Sequence, residues 1–402
     1  MATSKLNTIL TSYTAQGEDT TDRLLGATFT ALFTTRPPIT VSSGRISPTL
    51  DSPPYTPQTP TWIASLTKLI TAVCALQLVS SSQVTLDQDL RAVLPRLASI
   101  QVFKGFDEDG APWSEDNDRA ITLRHLLTHT TGFSYDLAEP ELMRWSSYIG
   151  RTSHNLTWDL DGFTIPLLFK PGEGWKYGVS LDWVGILIST LTGQTLGSYM
   201  QSHIFSVLGM EDTTFRLVNR PDLLARRAEM TLRGADGKLM AIPYPVPLEY
   251  EQEAGGSGLH STLEDYSKFV AAVLREDGRI LDKEMWKVLF KPQLYEVQRE
   301  SLQKTLEEVH DTYALDLPRG TKMDFSFGGM VNGEDVPGRR RKGSVMWSGM
   351  AGSQWWIDRE SGVAGIFSTT IIRPPPDGAC DPVVKKGAAE LEEAVYAELG
   401  KK

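Results

Sequence analysis

A chain of 402 residues exceeds the size at which one hydrophobic core stops growing, so two lobes are expected. With 41% hydrophobic and 22% charged residues it has the balance of an ordinary globular protein, which excludes a disordered or fibrous chain. A formal charge of −10 argues against nucleic acid or an anionic membrane as the main partner and makes small neutral molecules the expected substrates.

Met1 to Asn7 lack the uninterrupted apolar core of a signal peptide, and no segment reaches the roughly 18 apolar residues of a membrane span, so the chain reads as soluble and cytoplasmic. An amphipathic opening runs to about residue 18, and Leu24 to Phe33 reads as a β-strand with partial alternation. Residues 37–60 carry seven prolines among serines and threonines, the composition of an irregular loop with one short edge strand at 39–41. That loop feeds Trp62-Ile63-Ala64-Ser65-Leu66-Thr67-Lys68-Leu69-Ile70, where Ser65 and Lys68 stand three apart and are neighbours on a helix. A serine hydroxyl is a poor nucleophile until its proton is taken. A neutral amine can take it, and burial among Leu66, Leu69 and Ile70 favours the neutral amine. The rival reading is a serine N-cap beside a lysine snorkelling to water. A second S-x-x-K, Ser301 to Lys304, lies in a charged stretch where both groups stay solvated.

Val84 to Leu90 and Val93-Leu94-Pro95 read as a helical connection ending at the proline. Ile121 to Phe133 reads as a helix stopped by Gly132; its His125 and His129 have zinc spacing but no third ligand, so they are read as structural and no metal is expected. Asn155-Leu156-Thr157 matches a glycosylation sequon by chance. Pro171 to Lys176 is a tight turn that delivers Tyr177 to the start of a helix ended by Gly193. A hairpin is signalled at 234–238. The cluster Gly255-Gly256-Ser257-Gly258 precedes a helix with Ser261 and Glu264 as its capping box; no nucleotide motif accompanies it, and no cofactor is expected. Strand-like segments follow at 325–330, 343–347, 353–357 and 362–370, then a helix from Asp381-Pro382 to Gly400. Cys74 and Cys380 are too few for a disulfide framework. Short turns make consecutive strands antiparallel. The expected fold is α+β. Residues 1–95 with 320–402 form a lobe built on an antiparallel sheet, residues 96–319 form a mainly helical lobe, and the active site lies in the cleft between them.

These stations, in this order, resemble the serine β-lactamase and penicillin-binding-protein superfamily, in particular its class C-like esterase branch and the fungal lovastatin-type polyketide acyltransferases. The resemblance rests on Ala64 to Leu69, Leu123 to Gly132, Pro171 to Trp183, Arg220 to Ala228 and Arg340 to Ser344, and it spans nearly the whole chain. It implies a β-lactamase/transpeptidase-like fold and an acyl-enzyme, with Ser65 as nucleophile, Lys68 as its partner and Tyr177 as general base or proton relay. Which of Lys68 and Tyr177 is the base stays open. The third family motif falls on Trp347-Ser348-Gly349, implied to bind substrate. By position the Met350 N–H pairs with that of Ser65 as the oxyanion donors.

Two departures count against β-lactams: the tyrosine is followed by Gly178-Val179-Ser180 with no asparagine, and Trp347 stands where lactamases carry a lysine. The implied function is a serine acyltransferase of secondary-metabolism type, passing an acyl group from an ester or thioester to a small-molecule hydroxyl or amine. A carboxylesterase using water and a non-catalytic binding protein of the same fold are the alternatives. The implied partners are a small-molecule acyl donor and acceptor, with an acyl carrier protein or pantetheine thioester as a further candidate donor. The basic run Arg339-Arg340-Arg341-Lys342 would dock such a carrier unless it is simply a solvated turn.

Overall fold

The computed structural model describes residues 2–314, 317–373 and 378–400. Its centre is a seven-stranded sheet of β1 (Gly26–Phe33), β2 (Ile39–Gly44), β3 (Met323–Phe325), β4 (Met330–Asn332), β5 (Val345–Ser348), β6 (Gln354–Asp358) and β7 (Val363–Ser368). They lie in the order β2-β1-β7-β6-β5-β4-β3, and every pairing is antiparallel. The N-terminal strand thus joins the C-terminal meander, with Phe29 opposite Phe367.

All residues of β1, β5, β6 and β7 are buried, so the alternation expected of β1 is absent. A sheet covered on both faces carries apolar side chains on both. The helices that matter here are α1 (Ala2–Tyr13), α2 (Thr67–Ser80), α3 (Ser180–Thr192), α4 (Leu263–Leu274), α5 (His310–Tyr313) and α6 (Pro382–Leu399). Helix α1 packs on α6 and β2, α4 lies across β1, β7 and β6, and α2 packs on α3. Asp381 caps α6 by accepting from the Val383 and Val384 N–H groups, and Pro382 opens it. Gly193 closes α3 in the left-handed region at φ +68°.

Several local expectations are corrected. Pro95 begins a short helix, Pro95–Ala98, rather than ending one, because a proline costs no hydrogen bond in a first turn. The segment at 121–133 is helical only over Leu123–Leu127. The cap of α4 is Thr262, whose side chain accepts from the Asp265 N–H; Ser261 is instead paired in a two-residue strand with Thr61. The single strand expected at 325–330 is two, because Gly329 at φ +146° turns the chain between β3 and β4. The Asn155 amide is buried and donates to Gly162 O at 2.7 Å, so the sequon is out of reach of solvent.

The basic run is neither a solvated turn nor a free patch. Arg340 is 0% exposed and donates from Nε to Glu392 Oε1 of α6 at 2.8 Å, while Arg339 meets the same carboxylate. Only Arg341 and Lys342 are exposed, tied to Asp335. Among the described residues no helix is long and apolar enough to cross a membrane.

Candidate active site

Ser65 sits at a sharp entry into α2. Strand residue Trp62 leads to Ala64, a non-glycine residue at φ +45°, and a single 3-10 turn over Ala64–Leu66 runs into the helix. A left-handed alanine costs on the order of 1–3 kcal/mol and persists only where its surroundings impose it. Here they do: Ile63 N–H donates to Leu259 O at 3.1 Å, Thr67 Oγ1 to Ala64 O at 2.7 Å, and Tyr266 OH to Leu66 O at 3.0 Å. The turn leaves Ser65 half-exposed between buried neighbours.

The hydroxyl is not a helix cap. Ser65 Oγ accepts from Tyr177 OH at 2.7 Å and from Lys68 Nζ at 3.2 Å. Nor does Lys68 snorkel: it is buried, and its ammonium also donates to Gly256 O at 2.7 Å and Tyr135 OH at 3.0 Å. Its three N–H donors therefore have three acceptors. Lys68 Nζ lies 4.7 Å from the centroid of the Tyr177 ring, and Trp347 Nε1 donates to the Tyr177 oxygen at 3.1 Å. The structure thus brings Ser65, Lys68, Tyr177 and Trp347 into one hydrogen-bonded group.

Gly256 reaches Lys68 because the glycine cluster lets the backbone come close. A Cβ at Gly255 would stand 2.5 Å from Leu181 O, and one at Gly256 would stand 2.6 Å from Asp182 Oδ2. The Gly256 N–H donates to Asp182 Oδ1 at 2.8 Å, and Thr71 Oγ1 donates to Gly255 O at 2.7 Å. Burial raises the Asp182 carboxyl to about 6, against the pull of Lys68 toward ionisation.

Strand β5 brings the third motif to Ser65. Pairing with β4 stops at Met330 opposite Met346, so the edge of β5 at Trp347 and Ser348 runs past the end of β4. Gly349 lies against the turn before Ser65, where an added Cβ would be 2.8 Å from Ile63 O and 3.3 Å from Ala64 Cβ. This contact brings the end of the third motif against the turn that presents Ser65, and first-turn N–H groups have no intrahelical partner.

Aromatic rings wall the group. Tyr177 stands 4.9 Å from Trp347, 5.3 Å from Tyr135 and 5.5 Å from Tyr313 of α5, measured between centroids. His129 packs 4.7 Å from Tyr177; burial, and then Lys68, hold its ring well below the usual range, so it stays neutral. Burial, then the neighbouring Tyr177, pushes the Tyr135 hydroxyl well above its usual range, which keeps it a phenol. Ser180 is buried and bonded to Thr131, away from Ser65. Sequence reasoning missed Tyr135 as a partner of Lys68, and Asp182 and Gly256 as its setting. Tyr135 follows the Gly132 turn, where no periodicity marks it.

Comparison with known proteins now adds relatives. The model of the family described as Beta-lactamase matches residues 40–389. The monacolin J acid methylbutanoyltransferase of Aspergillus terreus is 34% identical over 354 residues, covering 86% of this chain and 84% of that protein. The lovastatin esterase of Penicillium rubens is 33% identical over 318 residues, covering 78% of this chain and 80% of that one. Among solved structures, the LovD6 mutant of the simvastatin synthase from Aspergillus terreus superposes with a TM-score of 0.91 at 31% identity, covering 100% of this chain and 96% of that one.

Proposed function

That this chain belongs to the beta-lactamase family is the premise from which we propose that it is a serine acyltransferase of secondary-metabolism type. The observation that carries the reading is Ser65 Oγ held between Tyr177 OH at 2.7 Å and Lys68 Nζ at 3.2 Å. In its deprotonated form Tyr177 is the base: across the 2.7 Å contact its phenolate oxygen takes the Ser65 proton as Ser65 attacks the carbonyl carbon of an ester or thioester. Lys68 is the cation and the Trp347 indole the donor that make negative charge on the Tyr177 oxygen tolerable. The N–H groups of Ser65 and Met350 receive the developing oxyanion, with Ser348 and Gly349 bordering the substrate. As the carbonyl re-forms, the leaving alcohol or thiol takes the proton from Tyr177. An acceptor hydroxyl then gives its proton to Tyr177 and attacks the acyl-Ser65 carbonyl, and Ser65 leaves with that proton.

Transfer rather than hydrolysis is supported by the aromatic wall, which holds an organic acceptor and disfavours bulk water. Relatives named as transferring a methylbutanoyl group to monacolin J acid or to ML-236A carboxylate suggest a short branched donor and a carboxylated polyketide alcohol. Hydrolysis is the second reading, favoured by the likeness to a lovastatin esterase. The proposal extends to a cytoplasmic reaction with a thioester donor on pantetheine, free or on a carrier protein. The Arg339 to Lys342 run lends the carrier no support, since Arg339 and Arg340 are engaged with Glu392. It also keeps the two-lobe division, with Ser65, Lys68 and Trp347 from residues 1–95 and 320–402, and Tyr135 and Tyr177 from 96–319.

The test supplies a methylbutanoyl thioester and a panel of polyketide-like alcohols and measures ester product against free acid. Ester is expected to dominate for at least one alcohol. Free acid from every mixture at saturating alcohol would replace the transferase with the esterase, and absence of any mass adduct on Ser65 would remove both.

A further inference from the structure

Arg373 lies in the segment after β7 and is buried, with 5% of its surface exposed. Its backbone N–H donates to Met350 O at 3.0 Å, which fixes it to the end of the third motif. Its Nη1 donates to Thr312 O of α5 at 3.1 Å and to Ser348 Oγ at 3.3 Å, on the β5 edge that runs past β4. Nε and Nη2 are buried and, among the described residues, have no hydrogen-bond partner. Among the described residues no carboxylate pairs with this guanidinium, although Tyr177 is near enough to act on its charge.

The molecule holds its own standard for comparison. Arg340, the other deeply buried arginine near β5, grips Glu392 through Nε and Nη2, the fork that matches a carboxylate with two parallel hydrogen bonds. Among the described residues that same Nε and Nη2 edge of Arg373 is unoccupied. A buried guanidinium with no carboxylate beside it is costly, and one with two unbonded donors next to the Ser348 hydroxyl suits an anion brought by a ligand.

We propose that Arg373, with Ser348, is the anchor for a carboxylate group of the acyl acceptor, so that this chain selects hydroxy acids over their neutral esters or lactones. The proposal rests on the acyl-transfer reading for the identity of the ligand, and adds the residue that recognises it. It also returns to the third motif the positive charge that Trp347 lacks, from a different part of the chain. Ser348 and Arg373 hold the acid end at the β5 edge, while the hydroxyl end of the same molecule reaches the acyl-Ser65.

The experiment uses ω-hydroxy acids from 6-hydroxyhexanoate to 12-hydroxydodecanoate, each against its methyl ester, as acceptors from a neutral methylbutanoyl thioester. In the wild type at least one chain length should favour the acid by about ten-fold in kcat/KM, the scale of one charge-assisted bidentate contact. In Arg373→Gln the ratio should fall to about one, mainly through a higher KM for the acid, with Arg373→Lys between the two. No preference at any length in the wild type, or a preference that survives Arg373→Gln, overturns the proposal. Equal loss on acid and ester does so as well, because Arg373 would then act through Tyr177. Calorimetric titration of the wild type with octanoate and octanamide covers the case in which the variants do not fold or no transfer occurs. Octanoate should bind about ten-fold tighter, and equal binding refutes the anchor. Failure of the acyl-enzyme reading is separate, since it shows as absence of the Ser65 adduct with thioester alone.

Discussion

Replacing Tyr177 by phenylalanine removes one oxygen from the centre of the site and almost nothing else. That oxygen donates to Ser65 at 2.7 Å and accepts from Trp347 Nε1 at 3.1 Å. The ring keeps its place, wedged 4.7 Å from His129, 4.9 Å from Trp347 and 5.3 Å from Tyr135, so no cavity opens. The stability cost is then confined to an indole N–H left without its acceptor, about 1–2 kcal/mol. The kinetic cost is larger. Loss of a general base lowers the rate by roughly two to four powers of ten, which is about 3–5 kcal/mol of transition-state stabilisation. Single-turnover acylation by an aryl ester, followed by the mass of Ser65 and run beside a urea titration, separates the two effects. A Tyr177→Phe variant that folds and keeps more than about a tenth of the wild-type acylation rate would refute the assignment, and Lys68 alone would have to take the proton.

Ser65→Ala should fold, form no adduct and turn over at less than about 1% of wild type, since the proposed mechanism makes the hydroxyl the covalent acceptor; a surviving rate above that level in clean protein removes Ser65 as nucleophile. Glu392→Gln should cost about 3–5 kcal/mol in urea unfolding, because it removes the buried carboxylate that Arg340 and Arg339 share; a loss below about 1 kcal/mol would mean the pair contributes little. Asp182 has a folded-state value near 6 against the usual 3.8, so the fold favours its protonated form. The stability it gives is fully present below about pH 4 and is lost as pH rises through 6. Asp182→Asn should therefore match wild type near pH 4 and exceed it by about 2–3 kcal/mol at pH 7; a gap that does not grow with pH would contradict the raised value.

The sequence disclosed residues whose chemistry is local and hid those whose chemistry is made by the fold. Ser65 and Lys68 were legible because one helical turn brings them together, and Tyr177 because a proline-glycine turn delivers it in a family pattern. The sheet was legible because turn residues separate its strands. Tyr135 and Arg373 were not, for each acquires its neighbours from segments far away in the chain: Tyr135 from Lys68, Arg373 from Ser348 and Thr312. The Arg339 to Lys342 run was misread for the same reason. Four cations in a row look solvated until a distant Glu392 buries two of them. Asp182 is a first-turn carboxylate of α3 that no motif singles out, and its setting comes from Gly256, which lies 74 residues on in the chain and donates to it.

The Arg340–Glu392 pair fastens the turn ahead of β5 to α6, and Trp356 of β6 packs 5.4 Å from Tyr396 of the same helix. Peeling α6 from the sheet would bare a charged pair and slacken the strand that leads to Met350. Opening of the helix and loosening of the proposed oxyanion contacts should then be one cooperative event, with one free energy for amide exchange in α6 and β5. A ligand gripping only Ser65 and the end of β5 should therefore slow deuterium uptake in a helix it never touches.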